Sequence, residues 1–338
     1  MTILGRNHQR RQMLRLAAGG AALAFSVGRS ARGETKRITF ITPIQLLIGF
    51  APAMNAQLGG HFRRHGLDVD VVGGASAPMA VQQTIVKRAD VMRGAGTDIA
   101  TAVAKQGAPL IAIGTIFQAS SFVVVSQKSK PVHDAKDFKG MVVGVPGRQS
   151  GAELALDMML IGAGIAPREV QRESVGNGLG SWGLIKEGRL DAAILSVSAV
   201  VQIRDAGEDP VALPTETVLP APGQVYAMHR DRLAAEPELP VQFLRGIRDS
   251  LAELRSGDQL ALVKRMAGAY PIVGRDNPGF LVKAMTEEIK LWLAAGEENV
   301  LRNVPERWSV MVDAINRTGI AKIPDAAALY TNAYVDKI

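Results

Sequence analysis

Short β-branched runs alternate with longer stretches in which apolar residues return every three or four positions. The first kind predicts strands and the second helices that bury one face. Arg37–Thr42 (RITFIT) reads as a first strand, residues 51–64 as a helix closed by Gly66, and Leu67–Val72 (LDVDVV), with its period of two, as a second strand. A helix over 77–88, a buried strand at Ala89–Arg93, a helix from Asp98 to about Gln106, and strands at Leu110–Phe117 and Phe122–Ser126 follow. A second series runs from a short helix at Val132–Lys139 to a strand at Met141–Val145, a helix over 151–162, a strand at Val170–Val175 and a helix over 179–187. It continues with a strand at Asp191–Leu195, a helix over 198–206, and strands at Val211–Pro214 and Gln224–His229. Thereafter the pattern is helical, over about 240–256, 258–268, 277–295, 305–317 and 325–335.

Strands that alternate with helices predict βαβ units and parallel sheets. The chain therefore reads as α/β, with two lobes of similar build joined by two crossover segments. Residues 34–125 plus 225–338 form the first lobe and 126–224 the second. The crossings fall near Phe122–Lys130 and near Thr215–His229, the latter marked by the proline-rich TETVLPAPG. The helical tail is expected to pack on the first lobe.

Charge divides the chain unevenly. The 338 residues carry a formal +7, but six arginines lie within residues 1–33, which hold no Asp, Glu or Lys. What remains is close to neutral, so the electrostatic case for nucleic acid fails. The same 33 residues read as an export signal. Gln9-Arg10-Arg11-Gln12-Met13-Leu14-Arg15 resembles the twin-arginine consensus, a mildly apolar stretch runs from Leu16 to Val27, and Ala31-Arg32-Gly33 suits cleavage at Gly33-Glu34. The expected product is a periplasmic protein. No apolar run reaches the roughly 18 residues that span a bilayer. With zero cysteines, disulfides, thiol nucleophiles, thiolate metal sites and lipid attachment through cysteine are excluded.

Three segments carry a family resemblance. Ala56–Val69 (AQLGGHFRRHGLDV), Asp137–Pro146 (DFKGMVVGVP) and Lys186–Ala193 (KEGRLDAA) resemble, in order, signatures of periplasmic solute-binding proteins of the NMT1/THI5-like and alkanesulfonate/taurine/nitrate group. The resemblance extends over about residues 36–230. It implies a type II periplasmic binding protein fold, a small-molecule ligand clamped between the lobes by hinge closure, and delivery to an ABC permease with its cytoplasmic ATPase, the protein itself acting as a monomer. It implies no cofactor. Two alternatives stand beside it: a THI5-like enzyme acting on a pyrimidine-type ring, a branch whose cysteine-rich motif this chain lacks, and a ligand-sensing module for a membrane receptor.

In open α/β sheets ligands settle outside the carboxyl ends of strands, where helix N-termini present unpaired N–H groups and a partial positive charge. Ile44 and Gln45 lie after the first strand, and Thr97 and Asp98 after the third. Gly147–Gly151 is the strongest local anion candidate: its glycines allow close backbone approach, Ser150 can cap the helix, Gln149 sits beside it, and Arg148 adds a cation. Ser196 and Ser198 are neutral hydrogen-bonding candidates, Gln118 and Ser120 precede the inter-lobe crossing, and Asn177, just before a glycine-rich loop, and Trp182, within it, are expected near the cleft. Together they predict a small organic anion, sulfonate- or carboxylate-like. Each of these residues also has a purely structural reading as a cap, turn or core side chain.

Two motifs mislead. Gly178–Gly183 matches G-x-G-x-x-G, but a dinucleotide site needs an acidic residue about 20 positions further on, and Ser198 stands there. His61 and His65 share a helical face, yet Phe62 occupies the place where a zincin has glutamate, so they read as surface histidines and not as a metal site. No G-x-S-x-G elbow occurs and no acid–base pair is visible, so the residues predict a binder and not an enzyme.

Overall fold

The computed structural model describes residues 35–338 apart from Leu219; the proposed export signal lies outside the described residues. Two five-stranded sheets organise the fold. The first contains β1 (Lys36–Ile41), β2 (Leu67–Val72), β3 (Val91–Ala95), β4 (Leu110–Phe117) and, from far along the chain, β10 (Gln224–His229), in the order β2-β1-β3-β10-β4. The second contains β5 (Phe122–Ser126), β6 (Val142–Val145), β7 (Gln171–Ser174), β8 (Ala192–Ser196) and β9 (Val211–Pro214), in the order β7-β6-β8-β5-β9.

Neither sheet is wholly parallel, contrary to the βαβ expectation. β10 runs antiparallel between β3 and β4, and β5 runs antiparallel between β8 and β9. The crossovers explain this. β4 and β9 each run toward the gap between the lobes, and the chain crosses at their ends. The strands that receive it, β5 and β10, therefore start at the gap and must run the other way.

In the first lobe the helices are α1 (Ala51–Leu58), α2 (His61–Arg64), α3 (Ala77–Ile85) and α4 (Gly96–Gln106). The helix expected over 51–64 is broken, because Gly60 adopts a left-handed φ of 69° that restarts the chain as α2. The second lobe holds α5 (Gly151–Gly162), α6 (Leu179–Lys186) and α7 (Val197–Asp205). The tail contributes α8 (Arg230–Ala235), α9 (Glu238–Ser256), α10 (Gln259–Ala269), α11 (Pro278–Trp292) and α12 (Pro305–Thr318). In place of the helix expected over 325–335 stand two short 3-10 turns, Ala326–Leu329 and Val335–Lys337.

The tail does not stay on the first lobe. α9 buries Phe243, Leu244, Ile247 and Leu251 against the first lobe's core, each burial worth about 1.5–3 kcal/mol. But α11 packs on α7 and α12 on α5, both in the second lobe. Met311 and Trp308 of α12 join the same apolar cluster as Met158 and Leu156 of α5 and Met92 of β3. Lys283 of α11 forms an ion pair with Asp205 of α7, and Arg307 of α12 with Glu216 in the returning crossover. The other oxygen of Glu216 accepts from the Ser120 N–H at 3.0 Å, tying the two crossovers together.

Histidines 61 and 65 are not a free surface pair. His61 is buried and lies 2.6 Å from Glu253 of α9, and His65 lies 2.8 Å from Asp249 on the same helix. They fasten α2 to the tail.

Candidate functional site

A cavity of about 110 Å³ lies between the lobes. The first lobe and tail supply Ile44, Leu47, Phe50, Arg93, Asp98, Phe117, Gln224 and Glu288; the second lobe and its crossover supply Phe122, Pro146, Ser150, Gly151, Asn177, Ser196 and Ser198. The walls are largely apolar, so the few polar groups decide what fits.

Arg93 is the one cation among the described residues lining this cavity. It sits at the middle of the short buried strand β3, in register with Tyr226 of β10. Its side chain is 1% exposed. The guanidinium lies between two aromatic faces, with Cζ 4.8 Å from the Phe50 centroid and 4.3 Å from that of Phe117. Such sandwiching is worth most when the cation is desolvated. Nε donates to Gln224 Oε1 at 2.6 Å and Nη1 to the Gly49 carbonyl at 2.5 Å, but Nη2 has no partner.

Glu288 comes from the middle of α11 and is 3% exposed. Its Oε2 also lacks a partner. Burial pushes its pKa up to about 7, with the Arg93 charge opposing that rise. Asp98 sits in the first turn of α4, where its Oδ2 accepts from the Ala95 N–H at 3.0 Å; burial lifts its pKa to about 6. The described lining of the cavity thus holds one buried cation, one buried acid and one half-buried acid.

The second lobe meets the site mainly through backbone. A Cβ added at Gly151 would come within 2.8 Å of Ala95 Cβ and 3.3 Å of Thr97 Oγ1, so only glycine allows this approach. Ser196 caps α7 by accepting from the Ala199 N–H, and Asn177 Nδ2 donates to Ser196 Oγ at 2.8 Å. Ser198 Oγ stands 2.9 Å from Ser196 Oγ. These three side chains form a neutral, mostly self-satisfied wall.

The expected anion cradle at Gly147–Gly151 is filled by the chain's own carboxylate. Glu153 accepts from the Gln149 N–H at 2.6 Å and pairs with Arg148 at 2.8 Å, while Ser150 caps α5. Ser150 thus occupies one N–H of the α5 N-terminus and the Glu153 charge lies beside it, an arrangement that weighs against the anion reading of that loop. Arg148 and Gln149 are exposed outside the cavity lining, although Ser150 and Gly151 belong to it.

Of the other residues singled out from sequence, Ile44, Asp98, Asn177, Ser196 and Ser198 line the cavity. Thr97 and Ser120 border a smaller adjoining void of about 20 Å³, and Thr97 Oγ1 is unpartnered there. Gln45 is exposed and outside the lining. Gln118 is buried, its amide Nε2 donating to the carbonyls of Thr115, Asn299 and Arg302, so it pins the crossover to the tail. Trp182 is 4% exposed in the apolar core of the second lobe, with Val123, Leu195 and Ile203. Arg93 and Glu288 were missed. Arg93 is a charge inside a predicted buried strand, and Glu288 falls on the stripe Leu281, Ala284, Met285, Trp292; each mismatch was the available signal.

Two α/β lobes joined by two crossovers, with a lined cavity between them, define the type II periplasmic binding protein class. The model of the family described as NMT1/THI5 like matches residues 48–257, and the chain belongs to that family. A riboflavin-binding protein, RibY, of Chloroflexus aurantiacus is 24% identical over 258 residues, covering 73% of this chain and 70% of the relative. Among solved structures, a protein of Bordetella bronchiseptica superimposes with a TM-score of 0.71 at 19% identity, over 90% of this chain and 97% of the other. The alkanesulfonate-binding protein SsuA of Xanthomonas axonopodis pv. citri, bound to MOPS, gives 0.65 at 12% identity over 88% and 99%. At these identities the structural likeness establishes the fold.

Proposed function

We propose that the chain is the solute-binding component of an ABC importer, exported to the periplasm by its first 33 residues. It captures a small organic solute between the lobes, closes over it, and presents the closed form to a permease driven by a cytoplasmic ATPase. One observation carries this reading: the inter-lobe cavity contains buried polar atoms, Arg93 Nη2 and Glu288 Oε2, that no group among the described residues satisfies. Such atoms are costly unless a bound molecule completes them. A ligand contacting both lobes favours the closed state by its differential affinity alone. The name of the RibY relative and the family both support a solute-binding role.

The solute we expect has an apolar, ring-like body that fits against Phe50, Phe117 and Phe122, with a polar edge toward Arg93. An acidic group there would need to displace or protonate the neighbouring Asp98 and Glu288. Native mass spectrometry of protein taken from the periplasm should find a bound small molecule, and it should be recovered unchanged after incubation. Titration with riboflavin and with aromatic acids should narrow the scattering-derived radius for whichever solute binds. A chemically altered solute would favour the enzyme reading. A particle that retains no solute and does not compact with any would end the importer reading.

A further inference from the structure

Arg93 and Glu288 flank one gap without neutralising each other: no nitrogen of one lies within 4.0 Å of an oxygen of the other. Gly49 sits between them. Its carbonyl accepts from Arg93 Nη1, and a Cβ on it would stand 3.1 Å from Glu288 Oε1. The arginine's plane is fixed by Phe50, Phe117 and Gln224, so Nη2 is a donor of set direction. The unpartnered Glu288 oxygen is an acceptor. A solute that satisfies both must therefore offer an acceptor and a donor on one edge.

Hydrogen-bond pairing and charge both disfavour the simplest alternative. A carboxylate or sulfonate would satisfy Arg93 but would set another acceptor against the unpartnered Glu288 oxygen, and would fit only with Glu288 and Asp98 held protonated beside it. An uncharged edge satisfies both orphans and adds no charge.

We infer that the cavity selects an uncharged ring whose carbonyl adjoins an N–H, as in a lactam or imide, with Arg93 donating to the carbonyl and Glu288 accepting the N–H. This deepens the solute-binding reading and rests on it. Glu288 is then the specificity-determining residue, because an ester or N-alkylated analogue leaves its oxygen unpaired, and such mismatches are rejected far more strongly than missing methylenes.

Calorimetric titration with phthalimide, N-methylphthalimide and benzoate tests it, on the wild-type chain and on Glu288→Met and Glu288→Gln. The wild type should bind phthalimide at least tenfold more tightly than its N-methyl analogue, and both more tightly than benzoate. Glu288→Met should bring the ratio of the two imides close to one, whereas Glu288→Gln, which keeps an acceptor oxygen, should preserve the preference. Circular dichroism checks that both variants fold. Equal binding of the two imides by wild type, tighter binding of benzoate, a preference that survives Glu288→Met, or no binding of any probe at millimolar concentration overturns the inference. Those failures leave the importer reading standing, since a co-purified solute and compaction decide it separately.

Discussion

The two walls of the cavity solve the problem of a buried polar site differently. The first-lobe wall, with α11, carries formal charges that the fold leaves incomplete: Arg93 Nη2 and Glu288 Oε2. The second-lobe wall carries helix N-termini that are each capped by a serine of their own, α5 by Ser150 with Glu153 beside it and α7 by Ser196. Helix N-termini are ready anion sites only while their N–H groups stay vacant. On the proposed solute-binding reading, the binding energy would sit on one wall, and the other would close over it with neutral groups.

Removing the charged donor should break this asymmetry most. Arg93→Met keeps much of the apolar packing between Phe50 and Phe117 but deletes the one cation among the described lining residues, leaving Glu288 and Asp98 unopposed. Affinity for the co-purified solute should fall roughly 100-fold, about 3 kcal/mol, the cost of losing a buried charge-assisted hydrogen bond. Titration calorimetry measures it; a loss below threefold would move the binding centre elsewhere.

A second effect should appear in the solute-free protein. Burial raises Glu288 from 4.5 to about 7, so the folded state holds its proton longer than the unfolded chain does. Its contribution to stability is full below pH 4.5 and is lost as the pH climbs toward 7. Asp98, raised to about 6, adds a slope of the same sign. Glu288→Gln should flatten the pH dependence and make the protein roughly 1–3 kcal/mol more stable at pH 8 than the parent. Denaturant melts at pH 5 and pH 8 give the slope; an unchanged slope would mean that Glu288 is solvated.

The smallest effect sharpens the comparison from the other side. Arg148 is 59% exposed and pairs with Glu153. Arg148→Ala should change affinity by less than about twofold, as expected for a surface ion pair. A tenfold loss would restore the helix α5 N-terminus as an anion site.

Most of the architecture was legible because periodicity reports burial. The helix at 151–162 and the strands at 211–214 and 224–229 lie where the pattern places them. What the pattern could not give was direction and partnership across the chain. Nothing local to Gln224–His229 says that it inserts antiparallel between β3 and β4, since that follows from where the return crossover begins. The tail's grip on both lobes was likewise hidden, because an apolar stripe records that a face is buried but not against what. The same holds for the site. Loops at strand ends were found by a topological rule, and Asp98, Asn177, Ser196 and Ser198 do reach the cavity. Arg93 and Glu288 were passed over because a strand and a helix interior were read only for their apolar members, and the two side chains stand 195 positions apart in sequence.

α11 has a consequence for how such a protein can change its diet. The helix carries Glu288 into the cavity about one and a half turns beyond Lys283, which holds Asp205 of the second lobe. A mutation that re-seats the helix to suit a new guest also moves a bolt on the door. On the proposed reading, selectivity and gate tension would share one rod, so neither could drift far while the other stayed still.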